Sequence, residues 1–417
     1  MTNPGIFGPR ALIPTSGTLA NRPAATGSGR RYLATDLGTG TTFEDTAPNV
    51  WTPAAPPMPG PSWNVTPRNL RYFRRAVAKV RAGTAFGDIF CNGDSTTVSK
   101  NGASFDTAWP SMLAKMLNTY MVPTYQTWMF PHNTTPDDST RIVAGSHWSG
   151  QGTATTFTNT SGTSDTLSFS PSAGACGGPP SVDTFDIYTV AQNTYGSMTV
   201  NVDGGSTLAT INSNNGGAGA LVKTTVTVTA GVHTLNIVGP SAGGTLVVWG
   251  VNAYLSTSKC LRVANFGVNS SQSSGWTAAN TTPGAYSSWY TAFAPDLSIF
   301  NLGINDAGGS VPAATYQANM QTLITRGQSS PGDVALMSFD PLDGVGAGSA
   351  WTVFGPTYQE PLLKLAAANG CAFIDLYSRW QSYALSNPLG YYSDTVHPST
   401  FGYADMAATV FDVLSQV

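Results

Sequence analysis

Short apolar runs that stop at a glycine and pass into helix-like stretches constrain the fold more than any other feature of this chain. Residues 87–92 end at Gly93, residues 260–266 lead to Gly267, and residues 297–302 end at Gly303. An apolar run of this length bounded by a turn signal reads as a buried strand, and glycine permits the sharp bend that follows it. Further strand-like runs occupy 333–339 and 371–376, and helix-like stretches span Trp109 to Leu117, then 313–326, 357–369 and 401–415. Strands alternating with helices imply a parallel sheet covered on both faces, a three-layer α/β domain. In such a sheet, residues just past the carboxyl ends of the strands face the ligand crevice. The turns at Gly93 and Gly303 should therefore open onto one site.

Gly93 is followed by Asp94 and Ser95. A serine hydroxyl is a poor nucleophile at neutral pH unless a base lies within hydrogen-bond reach. Ser95 alone would serve equally well as the cap of the helix behind it. A base is supplied near the chain end. Asp394 and His397 stand three apart, before Pro398, Ser399 and an amphipathic stretch. At that spacing a carboxylate can fold back onto the imidazole Nδ1–H, which leaves Nε2 free to take a serine proton. The other histidines, His132, His147 and His233, have no such context. After Gly303, Asn305 can aim its amide at a developing oxyanion, although an asparagine there also stabilises its own turn.

Gly-Asp-Ser at 93–95, Gly-x-Asn-Asp at 303–306 and Asp-x-x-His at 394–397, in that order, resemble the SGNH (GDSL-type) hydrolase superfamily. The resemblance covers roughly residues 84–145 and 260–417 and implies a flavodoxin-like α/β fold. It assigns Ser95 as nucleophile, His397 as base and acid, and Asp394 as the residue that orients the histidine. Asp94 would brace the turn. The family also draws a backbone oxyanion donor from a second block, matched here by residues 263–271. Gly267 fits that block's first glycine, and Ser270 falls where the family usually places its oxyanion glycine. The implied oxyanion hole is Asn305, the Ser95 N–H and the N–H at Ser270 or Gly267. The implied chemistry is ester hydrolysis through an acyl-enzyme, with no metal or cofactor.

Between about 146 and 259 the pattern changes. Four runs, at 185–190, 197–202, 223–228 and 234–238, carry strand signals, and Asp203-Gly204-Gly205 and the Asn/Gly-rich 212–219 punctuate them. This reads as an inserted β-sandwich, jelly-roll-like, splitting the hydrolase domain into 84–145 and 260–417. Carbohydrate binding by the insert is an expectation from fold analogy. Cys91 and Cys371 fall in predicted core strands and read as buried thiols. Cys176 and Cys260 flank the insert, so a disulfide between them is conceivable. No C-x-x-C suggests zinc.

Residues 1–62 are rich in Pro, Gly, Ala and Thr and read as an extended N-terminal arm. The stretch from Gly17 through Arg31 to Trp51 resembles a short β-structured segment of bacteriophage tail-fibre and minor tail proteins. Residues 63–83 contain an amphipathic helix with Leu70, Phe73, Val77 and Val80 on one face, which would connect arm and hydrolase. A net charge of −3 without a basic stripe argues against nucleic acid. No apolar run approaches the roughly 20 residues that span a bilayer. The N-terminus lacks the charged and apolar regions of a signal peptide. The expectation is a virion tail esterase, a homotrimer joined to other tail proteins through its arm, removing O-acetyl groups from a bacterial surface glycan. Trp276, Trp289 and Tyr290 follow the second block as a sugar platform or as core. The runner-up is a glycan-binding tail protein with little turnover.

Overall fold

The computed structural model describes residues 62–63, 65–66, 68–102, 104–131, 138–150, 156–160, 164–239, 244–277, 292–329, 331–342 and 349–416, with four short strands before them. Those four are Thr15–Gly17, Arg31–Ala34, Thr41–Ala47 and Val50–Pro53, which form one sheet in chain order within a separate unit, residues 1–60. The first pair runs parallel and the other two pairs antiparallel. The stretch read as an extended arm thus contains strands; the remainder of it lies outside the described residues.

The second unit, residues 61–417, is built on a seven-stranded sheet. Its strands are β1 (Ser62–Trp63), β2 (Gly87–Gly93), β3 (Thr124–Tyr125), β4 (Leu261–Gly267), β5 (Leu297–Asn301), β6 (Asp333–Met337) and β7 (Ala372–Ile374). Their spatial order is β1-β7-β6-β5-β2-β4-β3. All pairings are parallel except that of β1 with β7 at one edge.

Successive residues of each strand feed opposite cores, as the pleat requires. Ile89, Cys91, Val263, Ile299, Ala335 and Ile374 pack on one face with helices α1 (Arg71–Arg81), α3 (Trp109–Tyr120) and α8 (Thr400–Leu414). Phe90, Ala264, Phe300, Leu336 and Phe373 pack on the other with α6 (Ala313–Gly327) and α7 (Ser349–Asn369). Near-continuous apolar strands are what a sheet buried on both sides needs. Three short helices complete the site region: α2 (Ser95–Val98), α4 (Ser273–Thr277) and α5 (Ile304–Gly308).

Residues 63–83 do not form a mere connector. Phe73, Ala76, Val77 and Val80 of α1 are buried in the sheet core, and Asp333 at the start of β6 accepts the Tyr72 and Phe73 N–H groups at 2.7 and 2.9 Å. The apolar stripe was visible in the sequence, but its partner lies some 260 residues away.

Between β3 and β4 the chain builds two five-stranded antiparallel sheets about a shared apolar core that includes Phe157, Phe169, Phe185, Val200, Ile237 and Val251. These sheets take in residues from Trp128–Met129 to Leu246–Tyr254, so the excursion starts well before residue 146. Its Trp128, Phe130, Tyr188 and Trp249 join Phe90 and Phe266 in a core of the seven-stranded sheet. The fully buried Arg141 pairs with Asp138 and donates to the Gln126 carbonyl at 2.7 Å, fixing the entry strand. An aromatic seam of this kind holds the excursion rigidly to the sheet. All four cysteines are buried free thiols, so Cys176 and Cys260 are not bonded to each other.

Candidate active site

β4, β2 and β5 are neighbours in the sheet and run in the same direction, so Gly267, Gly93 and Gly303 end side by side at its carboxyl edge. Gly267 pairs with Gly93 in register, and Asn301 pairs with Gly93 on the other side. The turn after β2 places Asp94 as the N-cap of α2, its Oδ1 accepting the Thr96 N–H at 2.9 Å, and opens the helix with Ser95. Ser95 is only 3% exposed.

His397 meets it from the loop before α8. Its Nε2 lies 3.1 Å from Ser95 Oγ, and its Nδ1 lies 2.9 Å from Asp394 Oδ2. With Nδ1 held by a carboxylate, the proton sits on Nδ1 and Nε2 accepts from the serine. Asp394 Oδ1 also accepts the Val396 and His397 N–H groups at 2.7 and 2.6 Å, and Asn101 Nδ2 donates to Oδ2. Burial alone would raise the Asp394 pKa, but these donors and the ring outweigh it and hold the carboxyl below its ordinary value. Burial of the imidazole disfavours its cation more than Asp394 favours it, so the His397 pKa lies below the usual value. The ring is therefore a neutral base at pH 7.

Asn305, near the start of α5, donates one amide hydrogen to the Ser271 carbonyl at 3.1 Å and keeps the second. Ser271 also reaches Gly93, its Oγ lying 3.4 Å from that carbonyl, so the second and third blocks close on the nucleophile turn. Ser270 has φ +58°, in the left-handed region where glycine is at home. That explains how serine stands in a glycine's place: the backbone tolerates it and the amide is retained. Among the described residues neither the Ser270 nor the Ser95 N–H has an acceptor. The Gly267 N–H, by contrast, donates to Asn265 Oδ1 at 3.0 Å. A Cβ at Gly267 would lie 2.4 Å from the Val98 nitrogen. Gly267 is thus a close-packing glycine whose N–H is already engaged.

The sequence gives no role to Asn265 or Asn301, and none beyond their blocks to Asp306 and Asp94. Asn265 Nδ2 donates to the Thr97 carbonyl at 3.0 Å, and Asn301 Oδ1 lies 3.1 Å from Thr96 Oγ1, so the ends of two strands clamp the nucleophile helix. Asp306 accepts the Ser273 N–H at 2.9 Å and its Oγ at 2.5 Å, bolting α4 to α5. Asp94 is buried with Oδ2 unpartnered; this burial pushes its pKa up to about 7. Trp276 is fully buried, its Nε1 donating to Ser271 Oγ at 3.1 Å, and is core; Trp289 and Tyr290 lie outside the described residues. His147 and His233 pair with Asp165 and Asp203 in the inserted sheets, and His132 lies outside the described residues. Among the described residues no group of acidic, histidine or cysteine side chains could hold a metal ion.

Residues 229–404 match the GDSL-like Lipase/Acylhydrolase family. That span holds the second, third and last blocks but not Gly93-Asp94-Ser95, so the nucleophile rests on the geometry above. No match was found among the curated proteins. The fold is similar to a solved structure of a peptidoglycan O-acetylesterase, with 17% identity and a TM-score of 0.64, covering 86% of this chain and 99% of that chain. An acetylxylan esterase from Geobacillus stearothermophilus is similar at 19% identity and a TM-score of 0.32, over 37% of this chain and 73% of that one. A psychrotrophic esterase from Pseudoalteromonas sp. is similar at 14% identity and a TM-score of 0.31, over 38% and 79%. The family match and the α/β fold together support the SGNH/GDSL hydrolase superfamily and, as its class, an ester or acyl hydrolase.

Proposed function

We propose that this chain is a serine esterase that removes acyl groups, O-acetyl above all, from a bacterial cell-surface polysaccharide. The observation that carries the reading is the relay from Asp394 through His397 to Ser95, with contacts of 2.9 and 3.1 Å. Ser95 Oγ attacks the ester carbonyl carbon as its proton passes to His397 Nε2, and Asp394 stabilises the imidazolium. The oxyanion accepts from the Ser95 and Ser270 N–H groups and the second Asn305 amide hydrogen. Collapse expels the sugar alcohol, which takes the proton back from Nε2. Water, deprotonated by the same nitrogen, then releases the acid and restores Ser95.

An acetyl group suits a site whose nucleophile is only 3% exposed. The tail setting, attachment through residues 1–62 and a homotrimer rest on the N-terminal sequence. Hydrolysis of p-nitrophenyl acetate and butyrate by the protein and by Ser95→Ala tests the reaction class. Acetate-preferring turnover, lost in the variant, is the expected result. Its kcat/KM should be flat through neutral pH and fall only below the ordinary histidine pKa, because the depressed His397 pKa keeps the base neutral into mildly acidic solution. Equal turnover by both proteins would remove Ser95 from the mechanism.

A further inference from the structure

We propose that a small aromatic cavity lined by Trp351 and Tyr377 holds the sugar ring next to the one that carries the scissile ester, so that these two side chains set substrate specificity. The inference rests on the glycan-ester reading above.

The cavity, about 100 Å³, is also lined by Phe339, Leu342, Gly355 and Pro356. Phe339 lies just past the carboxyl end of β6, and Tyr377 just past that of β7, on the edge of the sheet that carries Ser95. β6 is two strands from β2 and β7 three, which at roughly 4.8 Å per strand puts the cavity about 10–14 Å to one side of the nucleophile. The ring that bears the ester lies closer than this, only two bonds from its own carbonyl carbon, so the cavity falls at the next sugar of the chain. The cavity also touches the oxyanion element at both ends. A Cβ on Gly303 would lie 2.7 Å from the Phe339 ring, and one on Gly308 would lie 2.8 Å from the Trp351 ring. Substrate held by Trp351 is therefore held in fixed relation to Asn305. By contrast, the larger cavity around Arg71 and Asp333, about 650 Å³, opens at the amino end of β6 and cannot serve the triad.

The lining selects a ring with hydroxyls over an acyl chain. Trp351 and Tyr377 are half-buried, so each offers an apolar face, and neither the Trp351 Nε1–H nor the Tyr377 hydroxyl has a partner among the described residues. A hydrocarbon chain would bury these polar tips unpaired, which is unfavourable. A pyranose stacks its C–H face on the indole and satisfies both tips with its hydroxyls.

The test compares acetate release from O-acetylated peptidoglycan with hydrolysis of ethyl acetate, which has no ring to stack, by the protein and by Trp351→Ala, Trp351→Phe and Tyr377→Phe. The proposal predicts that Trp351→Ala lowers kcat/KM on the glycan by about ten- to a hundred-fold through KM, well beyond any loss on ethyl acetate that follows from its contact with Gly308, and that Tyr377→Phe lowers it by several-fold with ethyl acetate unchanged. Trp351→Phe keeps the packing against Gly308 and should lie between. Variants that deacetylate the glycan as fast as the parent, or that lose both substrates in proportion, would overturn the cavity assignment and leave the glycan reading standing. A parent protein that hydrolyses ethyl acetate but leaves O-acetylated peptidoglycan intact, and whose Ser95→Ala form does not bind that glycan in a pull-down, would overturn both.

Discussion

Ser95 and His397 face each other across 3.1 Å, yet the two banks of the crevice are held in different ways. The nucleophile bank is buried and tied to the sheet, with α2 clamped by Asn265 and by Asn301 at the ends of two neighbouring strands. The base bank is a loop, where Asp394 is 39% exposed and is held by its own backbone, the His397 ring and the single side chain of Asn101. A nucleophile needs fixed aim, and parallel strands provide it. A general base must gain and lose a proton in every cycle, and its carboxylate partner can stay partly solvated because its task is to orient and to balance charge. Damage to one bank should therefore appear as lost folding, and damage to the other as lost chemistry.

The largest expected effect of a change on the base bank is that of Asp394→Asn. It keeps the size of the side chain but offers Nδ1 the wrong partner and tautomer, so kcat should fall by about a thousand- to ten-thousand-fold with thermal stability nearly unchanged. A fall of only a few-fold would mean that Asp394 does not orient the base. Asn305→Ala removes one oxyanion donor and should cost about a hundred- to a thousand-fold in kcat with little change in KM. On the nucleophile bank, Asn265→Ala leaves the Thr97 carbonyl and the Gly267 N–H unpaired in the interior. Chemical denaturation should show a loss of about 2–6 kcal/mol, the cost of two buried unsatisfied groups. If that variant keeps its stability and loses only kcat, the division between the banks is wrong. The smallest effect belongs to Asn101→Gly, which removes one donor from a partly solvated carboxylate at a φ of +62° that glycine adopts without strain, and should slow turnover by about two- to five-fold with little change in the unfolding midpoint.

Buried Asp94 adds a pH signature to the nucleophile bank. Its pKa is raised to about 7 in the folded chain from an ordinary carboxylate value, so the protonated form is favoured on folding. Its contribution is fully present below about pH 4 and is lost as pH rises towards 7. Part of the decline in stability across that window should vanish in Asp94→Asn.

The sequence was legible wherever a residue's role is written in its immediate neighbours. Ser95 follows the glycine that bends the chain after β2, and Asp394 folds back on His397 within one turn, so short blocks sufficed to nominate them. The parallel sheet was legible for the same reason, since each apolar run ends at a glycine and leads to a helix. The clamps were not. Asn265 and Asn301 look like ordinary polar residues at strand ends, and they find their partners 168 and 205 positions away. The role of α1 and the early start of the inserted sheets at Trp128 were hidden similarly, because both depend on pairing across the fold. Gly267 and Trp276 show the limit of residue type as evidence. A glycine near an oxyanion site proves to be spacing, and an aromatic after it proves to be core.

The most direct test of the acyl-enzyme mechanism is to mix the protein with excess p-nitrophenyl acetate, quench in acid within the first turnovers, and map the acetyl group by peptide mass spectrometry. The account predicts a burst of p-nitrophenol matched by one acetyl group on the peptide containing Ser95, absent in Ser95→Ala. Turnover with the acetyl group on another residue, or with no covalent acetyl at any quench time and no burst, would contradict it.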